Sequence, residues 1–128
     1  MSGHRALTDN YLADTTVEDP GDAGTITIDR NPAVVELVTT ESGGETRTLA
    51  DPTQSGIFLV LTMKTDGGAC VVTGTAVNET GNTTMSFDDP GETLLLVSVP
   101  DPASSTDYVW RAFKAVTGST GDGPVLAS

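Results

Sequence analysis

The feature that most constrains this chain is a repeated alternation of short apolar runs and tight turns between residues 48 and 115. The runs are rich in threonine, valine and leucine, and Asp-Pro, Ser-Gly, Asp-Gly-Gly or Asp-Pro-Gly separates one from the next. Short runs bounded by such turn residues are typical of β-strands. No window shows the 3.6-residue apolar spacing of an amphipathic helix of useful length. The pattern therefore predicts an all-β domain.

The predicted domain is a small antiparallel β-sandwich of about seven to eight short strands. The predicted strands are residues 25–29, 33–39, 45–49, 57–64, 69–76, 83–87, 92–99 and 108–116. Residues 57–64 are the most apolar and are predicted to be central. Asp66-Gly67-Gly68 follows this strand and is predicted to supply the positive φ of a hairpin turn, so that residues 69–76 return antiparallel.

The two ends of the chain differ from its middle. Residues 1–24 are polar and lack sustained periodicity, which predicts an extended N-terminal arm. Residues 118–128 are rich in small and polar residues, which predicts a flexible C-terminal tail. The β domain itself is predicted to cover residues 25–117, a length that buries a modest core.

The composition excludes several classes of partner. The formal net charge is −12, from 18 acidic and six basic residues, so the phosphates of nucleic acid would repel the chain. No run approaches the roughly 18 apolar residues of a membrane helix, and the N-terminus lacks the apolar segment of a signal peptide. A soluble protein made in the cytoplasm, with no nucleic-acid or membrane partner, is expected. Only 5% of residues are aromatic, and so thin a core favours oligomers.

No constellation of residues points to chemistry. His4 is the only histidine and lies in the predicted arm, while Cys70 is the only cysteine and is predicted to be a small buried hydrophobe. Asp66 precedes a glycine, and Asp88 and Asp89 precede a proline. Aspartate is a common turn residue at such positions, so these residues indicate turns rather than a calcium-binding loop. We therefore predict no catalytic residue, no metal site, no cofactor and no enzymatic activity. Tyr108 and Trp110 share one side of the last strand, which indicates a core contact or a subunit interface.

The order of these segments resembles small virion proteins of tailed bacteriophages. The resemblance covers roughly residues 29–117 and rests on T-L-x-D-P-x-x-S-G, an apolar strand, D-G-G, V-V-T-G-T, F-D-D-P-G-E, L-L-L-V and Y-V-W-R. The chain is most similar in style to head decoration, or cement, proteins of the β-tripod type. Phage fibre and tail-tip domains share similar segments.

The resemblance implies homotrimers at three-fold and quasi-three-fold positions on the outer surface of the capsid, where they clamp the major capsid protein. The N-terminal arm would become ordered on binding. Candidate partner-binding residues are Leu7, Tyr11, Leu12, Val17, Ile26 and Ile28, and Tyr108 with Trp110 is the candidate subunit interface. The acidic charge fits a position outside the shell, away from packaged DNA.

Two other functions stay open from the sequence. The chain could be another virion component, such as a tail, fibre or head-completion domain, which would be present in far fewer copies per particle. It could also be a carbohydrate-binding or adhesion module, for which Trp110 would be the aromatic platform.

Overall fold

The computed structural model describes residues 14–113 and 124–127, which form a sandwich of two five-stranded β-sheets. The strands are β1 (Thr16–Val17), β2 (Gly24–Ile26), β3 (Ala33–Val38), β4 (Glu45–Leu49), β5 (Phe58–Thr65), β6 (Cys70–Thr73), β7 (Thr84–Phe87), β8 (Thr93–Pro100), β9 (Tyr108–Ala112) and β10 (Val125–Ala127). Sheet I has the order β1-β3-β5-β8-β9, and sheet II has the order β10-β7-β6-β4-β2. The prediction of a small all-β sandwich is confirmed.

All eight predicted strands are present, and the structure adds β1 and β10 to them. β1 lies within the predicted arm and pairs with β3, so residues 14–24 are part of the sandwich. β10 lies within the predicted tail and pairs with β7. Strands of two and three residues are too short to show a period of two, and their neighbours in the sheet stabilise them.

The sheets are mixed, whereas the sequence predicted antiparallel pairing throughout. From β1 to β6 the chain alternates between sheet I and sheet II, and each strand lies parallel to the strand two places earlier in the chain. Only β7 to β10 add antiparallel pairs. The first six strands thus wind around the core as a coil of two β-layers, in which the chain passes from one sheet to the other after every strand. Alternation along a strand reports which side chains are buried but not the direction of the neighbouring strand, so the sequence pattern could not reveal this coil.

The predicted hairpin between β5 and β6 is wrong, because the two strands lie in different sheets. Neither Gly67 nor Gly68 has a positive φ. They are instead packed against the chain after β3: a Cβ on Gly67 would lie 2.5 Å from Thr39 O, and one on Gly68 would lie 2.1 Å from Glu41 O. Glycine is needed here because two backbone segments approach closely where the chain crosses between the sheets.

The core lies between the two sheets and is built from alternate residues of each strand. In β4 and β5, for example, every second side chain is buried. The largest fully buried apolar side chains are Trp110, Phe87, Ile26, Leu37, Leu59, Leu61, Met63, Met85, Leu94, Leu96 and Val35. Cys70 is fully buried among them, which confirms the prediction that it is a small core residue.

Candidate functional site

Of the six residues predicted to contact a partner, the three that the structure describes are buried. Leu7, Tyr11 and Leu12 lie outside the described residues. Val17, Ile26 and Ile28 are at most 8% exposed and belong to the hydrophobic core. The latter three are therefore not available to a capsid surface in this fold; their apolar side chains join β1, β2 and the following loop to the sandwich.

Trp110, proposed as a subunit contact or sugar platform, is a core residue. Its side chain is 2% exposed, and its indole Nε1–H donates a hydrogen bond to Ala50 O at 2.9 Å. It pairs across the sheet with Ser98, which is also buried. Tyr108 is half-buried at the start of β9. Because the indole is enclosed, Trp110 can neither stack on a sugar nor contact a second subunit in this fold.

A cluster of charged side chains, centred on Arg47, lies in the interior of the described sandwich. Its guanidinium, fully buried, forms two hydrogen bonds with the Asp19 carboxylate, from Nε to Oδ1 at 2.6 Å and from Nη2 to Oδ2 at 3.0 Å. Nη2 also lies 3.0 Å from Glu45 Oε1 and donates to Val38 O at 3.0 Å. Arg47 is on sheet II and Val38 is on sheet I, so this cluster joins the two sheets.

Glu45 connects the cluster to the chain after β3. Its Oε2 accepts hydrogen bonds from the amides of Thr40 at 2.6 Å and Glu41 at 3.0 Å. The amide of Thr40 is the main reason that the pKa of Glu45 lies below its ordinary value; the amide of Glu41 and the Arg47 guanidinium lower it further, and burial opposes them. The carboxylate is therefore ionised at neutral pH.

Asp19 connects the cluster to the loop between β1 and β2. Burial raises the pKa of Asp19, but hydrogen bonds from Arg47 and from the amides of Val38 and Gly21 outweigh burial and hold it below its ordinary value. Each carboxylate thus accepts backbone amides as well as the guanidinium. The cluster stabilises the fold, because all of its charges are paired with one another or with backbone groups.

Acid is expected to reduce the stabilisation that this cluster contributes. Both folded-state pKa values lie below the ordinary values of 3.8 for Asp19 and 4.5 for Glu45, so the unfolded chain binds more protons in acid. The stabilisation is therefore fully present above about pH 5 and is lost as the pH falls through the folded pKa values. Urea denaturation between about pH 2 and pH 7 measures this loss. Glu45→Gln should flatten the slope below about pH 4.5. Equal slopes in the wild type and the variant would contradict the assignment.

Thr39 holds the close approach of the two glycines. Its hydroxyl donates a hydrogen bond to Gly68 O at 2.6 Å. The same hydroxyl accepts hydrogen bonds from the amides of Gly67 at 3.0 Å and Gly68 at 3.2 Å. The side chain is 1% exposed. This threonine therefore satisfies the backbone of the crossing where a side chain on either glycine would not fit.

Gly68→Ala is expected to lower the free energy of unfolding by about 1–3 kcal/mol, because the new methyl group would overlap the backbone at Glu41. Gly43→Ala is the matched control, since a Cβ there meets no atom within 4 Å and Gly43 has no positive φ. Urea denaturation followed by circular dichroism measures both variants. A loss in Gly68→Ala no larger than that in Gly43→Ala would show that the crossing can widen freely.

The described residues bear on the sequence prediction for Cys70 and for metal-binding side chains. Burial raises the pKa of the Cys70 thiol to about 11, so it is protonated at neutral pH and is not a nucleophile. Within residues 14–113 and 124–127, no three His, Cys, Asp or Glu side chains are close enough to share a metal ion. Over the same residues, no buried side-chain nitrogen or oxygen lacks a hydrogen-bond partner. These residues also include no helix that is long and apolar enough to span a membrane. His4 lies outside them.

In the described part of the chain, the outer face of sheet I carries many apolar side chains. Six of them are neighbours: Val34, Phe58, Val60, Leu95, Val97 and Phe113. Val60 lies between Val34 and Leu95 across three strands, and Phe58 lies opposite Val97. The Phe113 amide donates to Leu95 O at 2.9 Å, which extends the row beside β9. Phe58 and Phe113 are 46% and 48% exposed.

The outer face of sheet II has a different character. Thr25, Thr48, Thr73 and Thr84 lie directly opposite one another across β2, β4, β6 and β7. On β10, Ala127 lies opposite Thr84, and Val125, opposite Ser86, is 59% exposed. Hydroxyl-bearing β-branched side chains are well suited to a solvated sheet face. The two faces therefore differ as apolar and hydroxyl-lined surfaces.

Carboxylates are concentrated in the loops at the ends of the sandwich. Among the strands, only β3 and β4 contain acidic residues, Glu36 and Glu45, and Glu45 is buried. Glu36 is thus the one carboxylate on an outward strand position in the part of the chain that is described, and Lys64 Nζ lies 3.9 Å from it. The outer faces of both sheets are therefore nearly free of negative charge, although the chain carries −12.

Sequence reasoning missed both the charged cluster and the apolar outer face. A signal for the outer face existed, since F-L-V-L in β5 and L-L-L-V in β8 are apolar at consecutive positions rather than at alternate ones. Such runs indicate strands with two apolar faces. For the cluster, β4 reads E-T-R-T-L, and its inward residues are the glutamate, the arginine and the leucine. Alternation alone assigns the charged residues to the solvent side, and no local signal reverses that assignment.

Comparison with known proteins adds no relative to this description. The chain matches no protein-family model, and neither a curated protein nor a solved structure matches it.

Proposed function

We propose that this chain is a structural virion protein that decorates and stabilises the outer surface of a bacteriophage capsid as a homotrimer. In this role it binds the major capsid protein at three-fold and quasi-three-fold positions. The observation that carries the proposal is a partly exposed apolar sheet face on a sandwich in which, over the described residues, every buried side-chain nitrogen and oxygen has a hydrogen-bond partner. With its interior groups committed to structure, such a body acts through its surface, and large exposed apolar patches mark interaction sites.

The distribution of charge supports a position on the outside of a shell. Acidic loops at the ends of the sandwich would be repelled by packaged DNA, whereas solvent or a basic capsid surface would accommodate them. Leu7, Tyr11 and Leu12 of the N-terminal arm remain the proposed contacts with the major capsid protein. Many weak contacts of this kind, repeated over one particle, bind together more strongly than any one alone.

Binding to expanded, DNA-free capsids of the parent phage tests the proposal. The purified chain is expected to co-sediment with the capsids at one trimer for each three-fold and quasi-three-fold position, and to raise the temperature at which they disrupt. A chain that lacks residues 1–13 is expected to bind more weakly, and Glu79→Gln is the control. Absence of co-sedimentation would overturn the proposal. A stoichiometry of only a few copies per particle would instead indicate another virion component.

A further inference from the structure

We infer that the outer face of sheet I is the surface through which copies of this chain associate. The occupant is a second copy of the same chain, whose corresponding face or flank covers the six side chains Val34, Phe58, Val60, Leu95, Val97 and Phe113. The number of copies, three, rests on the function proposed above. The identity of the associating face rests on the structure alone.

The shape and composition of this face suit a protein interface. The row from Val34 through Val60 and Leu95 to Phe113 crosses four neighbouring strands, and the three spacings between them add up to about 14 Å. Phe113 ends the row and Phe58 lies beside it, and at nearly half exposure each ring leaves roughly 70–120 Å² in contact with solvent. Aromatic and branched apolar side chains held on a rigid sheet lose little conformational entropy on binding, which favours tight packing.

Electrostatics select this face for contact between identical copies. Two chains of charge −12 repel each other wherever their acidic loops meet, so association requires surfaces without carboxylates. The outer faces of the two sheets meet that condition, but only the face of sheet I gains free energy by burying a continuous apolar surface. The face of sheet II presents a row of threonines that water already hydrates.

The charged residues at the margins of the face favour a second copy over an uncharged partner. The outward charged positions are Glu36, Lys64 and Arg111, so the face has a local charge of +1 on a strongly acidic chain. Lys64 and Arg111 lie on β5 and β9, at different margins of the apolar row. When a second copy covers the row, its acidic loops can approach the exposed Lys64 ammonium, while the half-buried Arg111 guanidinium donates to Ala76 O at 2.6 Å. A copy of this chain thus brings both an apolar face and the complementary charge.

The oligomeric state in solution tests the inference without any capsid. Wild-type chain at roughly 0.1 mM, above the dissociation constants of most specific complexes, is examined by light scattering after size exclusion. The expected mass is three times the 13.2 kDa of one chain. Leu95→Thr and Phe113→Thr are expected to raise the dissociation constant at least tenfold and to shift the mass towards one chain. Threonine suits a strand, and circular dichroism with Trp110 fluorescence verifies that the variants are folded.

Val125→Thr is the matched control, because Val125 is an exposed apolar residue on the outer face of sheet II. It is expected to keep the wild-type mass. A monomeric wild type, or an oligomer that folded Leu95→Thr and Phe113→Thr leave intact, would overturn the inference. A wild-type dimer that these variants dissociate supports the face and overturns the trimer alone. Likewise, an oligomer that these variants dissociate but that fails to bind capsids supports the face and overturns the capsid function.

Discussion

Replacing Arg47 with methionine is expected to lower the free energy of unfolding by about 3–5 kcal/mol, because two carboxylates would remain inside the sandwich without their cation. The side chains of Asp19 and Glu45 are only 10% and 4% exposed. Urea denaturation monitored by Trp110 fluorescence measures the effect, since the buried indole moves to water on unfolding. Domains of this size are commonly stable by only about 5–15 kcal/mol, so the loss is a large share of the total.

Arg30→Met is the matched control for Arg47→Met. Arg30 also forms a hydrogen-bonded ion pair, with Asp29 at 2.8 Å, but both side chains are exposed. Solvent screens such pairs, so the unfolding midpoint of Arg30→Met should remain close to that of the wild type. Equal midpoints for Arg47→Met and Arg30→Met would contradict the role of the buried cluster.

The carboxylates of this cluster also limit how it could be replaced. A buried ion pair can often be exchanged for apolar residues without loss of stability. Here the exchange would leave the amides of Val38, Thr40 and Glu41 without the acceptors that Asp19 and Glu45 provide. An apolar triple replacement is therefore expected to stay less stable than the wild type, which the same urea titration would show.

Phe87→Ala is expected to produce a loss of similar size, about 3–5 kcal/mol, because it would leave a cavity between the sheets. Phe87 is fully buried on β7 and lies opposite Cys70 of β6. Its removal forfeits contacts on both sides of the core. Urea denaturation measures this loss. If the dependence of the free energy of unfolding on urea concentration is unchanged, the loss is one of native-state stability.

Phe87→Leu provides the graded comparison for this cavity. Leucine keeps much of the side-chain volume, so we expect a clearly smaller loss than with alanine. If alanine and leucine at position 87 had the same small effect, the sandwich would be able to collapse around the gap, and the close packing of this layer would be refuted.

The positions of the strands were predictable because the relevant signal is local. In β3, β4 and β5, a run of β-favouring residues ends at a turn residue, and all eight predicted strands lie where such runs occur. β1 and β10 were not predictable, because two or three residues do not form a pattern and these strands depend on β3 and β7 for their hydrogen bonds. The local sequence pattern predicted where strands occur, but not which strands pair with one another.

The candidate functional residues were less predictable than the strands. The sequence pattern predicts Ile26 and Ile28 as contacts for a partner, but both belong to the core because the loop after β2 lies against the sandwich. For Trp110 the pattern predicts a core or an interface position, and its burial beside Ala50 selects the core. The side chains that do form an open apolar face, such as Leu95 and Phe58, are ordinary strand residues whose outward direction depends on the pairing of β5 with β8.

The sequence by itself determined that this chain forms short strands, that its backbone turns at Asp-Pro and glycine, and that it carries a charge of −12. These properties depend on each residue and its nearest neighbours. Only the tertiary structure decided that the first six strands alternate between two sheets, that Arg47 is buried between two carboxylates, and that one sheet face stays apolar and partly exposed. Those properties depend on which distant segments meet, and alternation along a single strand is the same for every such arrangement.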